Sequence, residues 1–245
     1  MVEAARHDSA ETGAPAEGAP AQHIRSYVRR EGRITSAQEE ALEQLWPRYG
    51  IDPAGTAFDL PAIFGRRAPL AVEIGFGSGD HLLSSAQARP DTDFIGIEVH
   101  RPGAGRVLQQ ADKLGLTNLR VLCTDAVEVL RQSLPAGSVD EVVIFFPDPW
   151  PKKRHQKRRL VQPAFVELLA RVLRPGGRLR MATDWADYGR HMLEVMATAS
   201  QFSNVAGEGL AIPRPADRPL TRFEARGLRL GHEVADFEFV RKNSL

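Results

Sequence analysis

Cysteine is almost missing from this chain. A single residue in 245, Cys123, excludes an intrachain disulfide and any zinc site built on cysteines. It ends the apolar run 119–123, where packing explains it, and a lone thiol fits a reducing compartment. The seven histidines show no paired ligand spacing, so no metal is expected. Long hydrophobic runs are missing too. No stretch approaches the roughly twenty residues that cross a bilayer, and no apolar signal core follows the N-terminus. A cytoplasmic protein is expected. Excess charge is also absent: 32 Lys and Arg face 31 Asp and Glu, a net charge of +1. The chain is no polycation, so any hold on nucleic acid must come from clustered charge. Residues 1–22 carry almost no large apolar side chain and are rich in Ala, Gly, Pro and Glu. Such a segment buries too little surface to offset ordering entropy, which predicts a disordered tail and leaves 23–245 as one domain.

What the chain does have is a repeating pattern. Apolar runs at 70–76, 94–99, 119–123, 141–146 and 178–183 read as strands covered on both faces. Helical patterns lie near 79–88, 102–114, 125–131, 160–173 and 186–199. An earlier helix is expected over 36–46, capped by Ser36, before Pro47, Gly50 and Pro53 break regularity. Arg174-Pro175-Gly176-Gly177 reads as a helix stop that turns the chain into the fifth strand. Residues 234–241 alternate around Phe237 and Phe239 and read as a late antiparallel edge strand. The alternation predicts a Rossmann-like, doubly wound α/β sheet, mostly parallel.

The first strand runs into Glu73-Ile74-Gly75-Phe76-Gly77-Ser78-Gly79-Asp80. Glycines let the chain turn sharply and a ligand approach its backbone. The dinucleotide fingerprint would place a third glycine at position 80, where Asp80 stands. That argues against a nicotinamide-dependent oxidoreductase. An acidic loop suits a cationic ligand such as S-adenosylmethionine better than a pyrophosphate. Glu98 closes the second strand, about twenty residues on, where a carboxylate accepts ribose hydroxyls. Asp125, with Ala126 beside it, follows the third strand, and Asp148 the fourth. A single acid at a strand end is often only a helix cap; four in register point to a ligand at the carboxyl edge.

The fourth strand leads into Asp148-Pro149-Trp150 and then eight residues, 152–159, of which six are Lys or Arg. Phosphates suit the cations, a base suits the aromatic, and Asp148 stands where the base arrives. Trp150 has two readings, a stacking surface or a core residue under the loop. An exocyclic-amine methyltransferase would carry two prolines between acid and aromatic, whereas Pro149 is the only one here. An RNA-binding module without activity would have no use for the acidic set.

The runs 73–79 and 96–99, Phe146-Pro147-Asp148-Pro149-Trp150, Lys157-Arg158-Arg159, Ala182-Thr183-Asp184-Trp185 and Thr221-Arg222-Phe223-Glu224 together resemble the bacterial tRNA (guanine-N(7)-)-methyltransferases, from about Arg25 to the C-terminus. The resemblance implies methyl transfer from S-adenosylmethionine to nitrogen-7 of a guanine in the tRNA variable loop. It implies cofactor contacts by Glu73, Gly75, Gly77, Gly79, Glu98, Asp125, Ala126 and Asp148, with Asp148 also catalytic. It implies substrate contacts by Lys152, Asp184, Thr221, Arg222, Phe223 and Glu224, and RNA contacts by Arg154, His155, Gln156, Lys157, Arg158 and Arg159.

Overall fold

The computed structural model describes residues 33–220, 224 and 233–243. The expected tail at 1–22, Thr221, Arg222 and Phe223 lie outside these residues. The chain begins with helices α1 (Ser36–Gln44), α2 (Trp46–Tyr49) and α3 (Leu60–Phe64). It continues through β1 (Leu70–Ile74), α4 (Asp80–Ala88), β2 (Asp93–Ile97), α5 (Arg101–Lys113) and β3 (Leu119–Leu122). The short α6 (Ala126–Glu128) passes into a π-helical turn over Val129–Ser133, and β4 (Val139–Phe145) follows. The remaining elements are α7 (Pro163–Val172), β5 (Leu173–Thr183), α8 (Ala186–Thr198), β6 (Phe202–Asn204) and β7 (Ala235–Arg241).

The sheet runs β3-β2-β1-β4-β5-β7-β6. β1 to β5 pair in parallel, and β7 lies antiparallel between β5 and β6. Chain order reverses between β1 and β4, which opens a crevice beyond their carboxyl ends, the place where such sheets bind ligands. β1 and β2 are buried along their whole length, Glu73 and Asp93 included, as parallel strands covered on both faces are. One face of the sheet carries Val72, Ile95, Ile97, Met181 and Phe237 against α7 and α8. The other packs Ala71, Phe94 and Val121 against α1, α4 and α5.

Several expectations shift at their edges. Thr35, not Ser36, caps α1: its hydroxyl accepts from the Gln38 N–H at 3.3 Å, and the Gln38 side chain accepts from the Thr35 N–H at 2.9 Å. The 36–46 helix gives way to α2, because Pro47 is tolerated in a first turn. β5 begins before the Pro-Gly-Gly segment instead of after it. Val139 pairs with Leu173 and Glu141 with Arg178, so Pro175-Gly176-Gly177 bulges out within the strand. β7 is not an edge strand, since the three-residue β6 pairs outside it. So short and half-polar a strand leaves no alternation to read.

β5 and β7 also place charge on the sheet. The Arg180 side chain is 7% exposed and binds Glu141 at 3.0 Å and Asp217 through two bonds of 2.8 Å. Arg89 holds the other Glu141 oxygen at 2.7 Å. Burial pushes the Glu141 and Asp217 carboxyls up, but the arginines outweigh it and hold both below their ordinary values of 4.5 and 3.8. A lowered folded pKa stabilises fully above the unfolded value and loses that contribution as pH falls through the folded one. Asp236 opposes this trend, because burial keeps its carboxyl above the ordinary 3.8 and folding gains from its protonation. Urea unfolding should therefore show stability falling below about pH 4.5, more steeply in the wild type than in Glu141→Gln. Equal slopes would show that Glu141 is not the source.

Candidate functional site at the carboxyl edge of the sheet

The turn after β1 is built on left-handed backbone. Gly75 and Gly77 have φ of 73° and 54°, and no atom lies within 4 Å of where a Cβ would stand on either. Their backbone faces open space beside the crevice. Gly79 caps α4, and a Cβ there would meet Val107 at 2.1 Å. The start of α5 presses against the same loop. A methyl group on Gly103 would lie 2.4 Å from the Gly77 carbonyl oxygen, a backbone atom that cannot swing aside. Arg106 ties the two together by donating to the Ser78 carbonyl and to Asp80 at 3.0 Å.

Glu98, 9% exposed, follows β2 and accepts three backbone N–H groups: Gly77 at 2.8 Å, Val99 at 2.7 Å and His100 at 3.0 Å. It locks the glycine turn to the end of β2. A carboxylate has about four acceptor positions, so room remains for about one further hydrogen bond. Asp125 caps α6, accepting from the Val127 N–H at 2.9 Å, and Ala126 beside it is buried. Glu73 faces inward: its carboxylate meets His81 Nδ1 at 2.7 Å, and His81 Nε2 lies 3.2 Å from the Ser85 hydroxyl. The His81 ring stands edge-on to Phe145, 4.9 Å between centroids. Sequence reasoning missed His81; its only signal is a place on α4 that turns it under β1.

Across the crevice, β4 ends in a strained turn. Phe146 and Trp150 have φ of 53° and 44°, a region costly to any residue with a Cβ. Between them, flanked by Pro147 and Pro149, stands the exposed Asp148. The surroundings hold this turn at both ends. The Phe146 N–H donates to the Ala182 carbonyl at 2.8 Å. Arg159 donates to the Pro149 carbonyl at 3.0 Å, and Arg158 lies over the Trp150 ring at 5.0 Å. His155 meets that ring edge-on at 5.9 Å. Trp150 thus sits half-buried against the basic run instead of inside either apolar cluster.

The basic run forms a short 3₁₀ helix over Lys153–Arg158. Lys152, Lys153, Arg154 and Lys157 are exposed, and His155, Gln156 and Arg158 half-buried. Partial burial and the charges of Arg154, Arg158, Lys152 and Lys157 lower the His155 pKa from its ordinary 6.5. Arg159 corrects the expectation of a surface contact. Its side chain is 2% exposed, bound to Asp187, and stacked over Tyr188 at 4.9 Å. Burial pushes the Tyr188 phenol up to about 12, and its oxygen accepts the Val161 N–H at 3.1 Å.

Asp184 is half-buried just past β5, the neighbour of β4, so it joins the carboxyl edge. Glu224 does not present its carboxylate outward. It is 1% exposed and takes a two-pronged ion pair from Arg218, at 2.6 and 2.8 Å. Arg218 and Asp236 had no signal in sequence, because each looks like one more surface charge. Among the described residues no three His, Cys, Asp or Glu are grouped to hold a metal, and no helix is long and apolar enough to cross a membrane.

The strand order, the antiparallel β7 and an acid-lined glycine turn that lacks the third fingerprint glycine define a class I, Rossmann-like methyltransferase fold. Solved structures agree: the 16S rRNA methyltransferase KamB superposes with a TM-score of 0.53 at 16% identity, covering 88% of this chain and 97% of that one. A family model described as "Putative methyltransferase" matches residues 67–237. Among curated relatives, the tRNA (guanine-N(7)-)-methyltransferase of Chromohalobacter salexigens is 56% identical over 226 residues, 91% of this chain and 92% of the relative. That of Aeromonas hydrophila is 56% identical over 220 residues, 90% and 93% of the two chains. The chain belongs to the tRNA (guanine-N(7)-)-methyltransferase family.

Proposed function

We propose that this protein transfers a methyl group from S-adenosylmethionine to nitrogen-7 of a guanine in the variable loop of tRNA, in the cytoplasm, with residues 23–245 as one catalytic domain. The observation that carries the reading is the exposed Asp148, held in a strained turn at the β1/β4 crevice and joined directly to a surface run of cations.

The cofactor side of the crevice suits a cationic nucleoside. The open glycine backbone admits close approach, and Glu98, Asp125 and Asp148 supply carboxylates where a pyrophosphate site would need cations. Gly75, Gly77, Gly79, Glu98, Asp125, Ala126 and Asp148 would hold the cofactor, with the Glu73 charge beneath the loop. When bound, S-adenosylmethionine supplies an electrophilic methyl on sulfonium and leaves as a neutral thioether.

The chain's own residues position the acceptor. Nitrogen-7 of guanine has a lone pair and no proton at neutral pH, so no strong base is needed and alignment supplies much of the acceleration. The purine becomes cationic as it reacts, and the Asp148 carboxylate stabilises that charge or holds the base edge. Lys152, exposed just after the turn, and Asp184, just past β5, would serve the substrate. Arg154, Lys157 and Arg158 hold phosphates, and the half-buried Trp150 offers an aromatic ring to a base. The test is incubation with methyl-labelled S-adenosylmethionine and unmodified tRNA, then nucleoside analysis. Label in 7-methylguanosine is expected; label in another nucleoside, or none, would overturn the assignment.

A further inference from the structure

We infer that Arg218 is a positioning residue for this reaction: it clamps the strained Phe146–Trp150 turn, and with it Asp148, to Glu224 and to β7. The inference rests on the function proposed above. Arg218 is 1% exposed. Its guanidinium makes four charge-assisted hydrogen bonds, two to Glu224 at 2.6 and 2.8 Å and two to Asp236 at 2.7 and 2.9 Å. Its flat faces lie against the rings of Phe145 at 5.8 Å and Phe146 at 5.4 Å. One side chain thus touches the last residue of β4, the first strained residue of the turn, the second residue of β7 and the buried Glu224.

The neighbours reinforce the clamp. Arg214 donates to the Arg218 carbonyl at 2.7 Å and reaches Glu224 at 3.3 Å, while Arg180, stacked on Phe145 at 5.7 Å, grips the adjacent Asp217. A non-glycine residue at positive φ persists only where its surroundings over-determine it, and Phe146 has Arg218 on its ring and Ala182 on its N–H. Asp148 lies two residues further on. Planar, five-donor geometry is essential here, because a lysine cannot bridge two carboxylates and cover two rings at once. Glu224 in turn acts through Arg218 instead of reaching for the substrate.

The test compares wild type with Arg218→Lys, and with Arg218→Met combined with Glu224→Gln and Asp236→Asn, which leaves no buried charge unpaired. Melting temperature, S-adenosylmethionine affinity and the single-turnover rate of 7-methylguanosine formation on tRNA are measured on the full chain. Both folded variants should bind S-adenosylmethionine within about threefold of wild type, because β1, β2 and β3 carry most of that site, yet react about tenfold to a hundredfold more slowly at saturating tRNA. A merely structural role would lower affinity and rate together, in step with melting, and would overturn the inference. So would an unchanged rate in folded Arg218→Lys. A wild type that makes no 7-methylguanosine would sink the functional reading instead.

Discussion

Replacing Asp148 by Ala is expected to slow methyl transfer by about a hundredfold to a thousandfold, the usual loss when a group aimed at developing charge is removed from a preorganised site. The side chain is exposed at the tip of its turn, so global stability should stay within about 0.5 kcal/mol of wild type. Asp148→Asn separates charge from shape. It keeps an acceptor of the same size while removing the charge that opposes the cationic purine. If charge stabilisation dominates, Asn is nearly as slow as Ala. If holding the base edge dominates, Asn recovers most of the rate. Single-turnover kinetics with saturating tRNA and S-adenosylmethionine report the chemical step directly. A variant as fast as wild type would remove Asp148 from the mechanism.

Arg158 and Arg159 are neighbours of identical chemistry, and their replacements should behave differently. Arg158→Ala should weaken tRNA binding and lower the slope of log affinity against log salt by about 1, the signature of one lost phosphate contact. Its fold should be little disturbed, for its half-buried side chain lies over the Trp150 ring without entering either apolar cluster. Arg159→Ala should leave the salt slope unchanged and cost about 2–3 kcal/mol of stability through its lost hydrogen bonds to Asp187 and to the Pro149 carbonyl. It should also slow methylation, because Pro149 adjoins Asp148. Filter binding across a salt series, paired with urea unfolding, reads both effects. Equal salt slopes for the two variants would return Arg159 to the RNA surface and refute its structural role.

Much of this protein is legible in its sequence. β1 to β4 announce themselves as largely apolar runs because both faces of a parallel strand are covered, and α4, α5, α7 and α8 fall within a few residues of their helical patterns. The glycine turn, the acid after each strand and the cationic run are local features, carried by neighbouring residues whatever the rest of the chain does. They lead to a Rossmann-like sheet, a cationic nucleoside and a nucleic-acid partner. The misread segments are those whose signal is short or whose partner is distant. β6 has three residues and exists only because β7 offers it an edge. The Pro175-Gly176-Gly177 bulge is a turn in sequence, and only the pairing of Val139 with Leu173 makes it part of a strand.

The charged side chains mark the same boundary. Composition shows near-equal numbers of acids and bases without saying which meet. The fold turns Glu73 to His81, Glu141 to Arg89 and Arg180, Arg159 to Asp187, and Glu224 and Asp236 to Arg218. Most of these partners are far apart in the chain, and each buried member is tolerated inside only because an opposite charge arrives beside it. Whether a charge binds a ligand or braces the frame depends on the dielectric around it and on the opposite charge within reach. Both are set by segments that meet only once the sheet has closed.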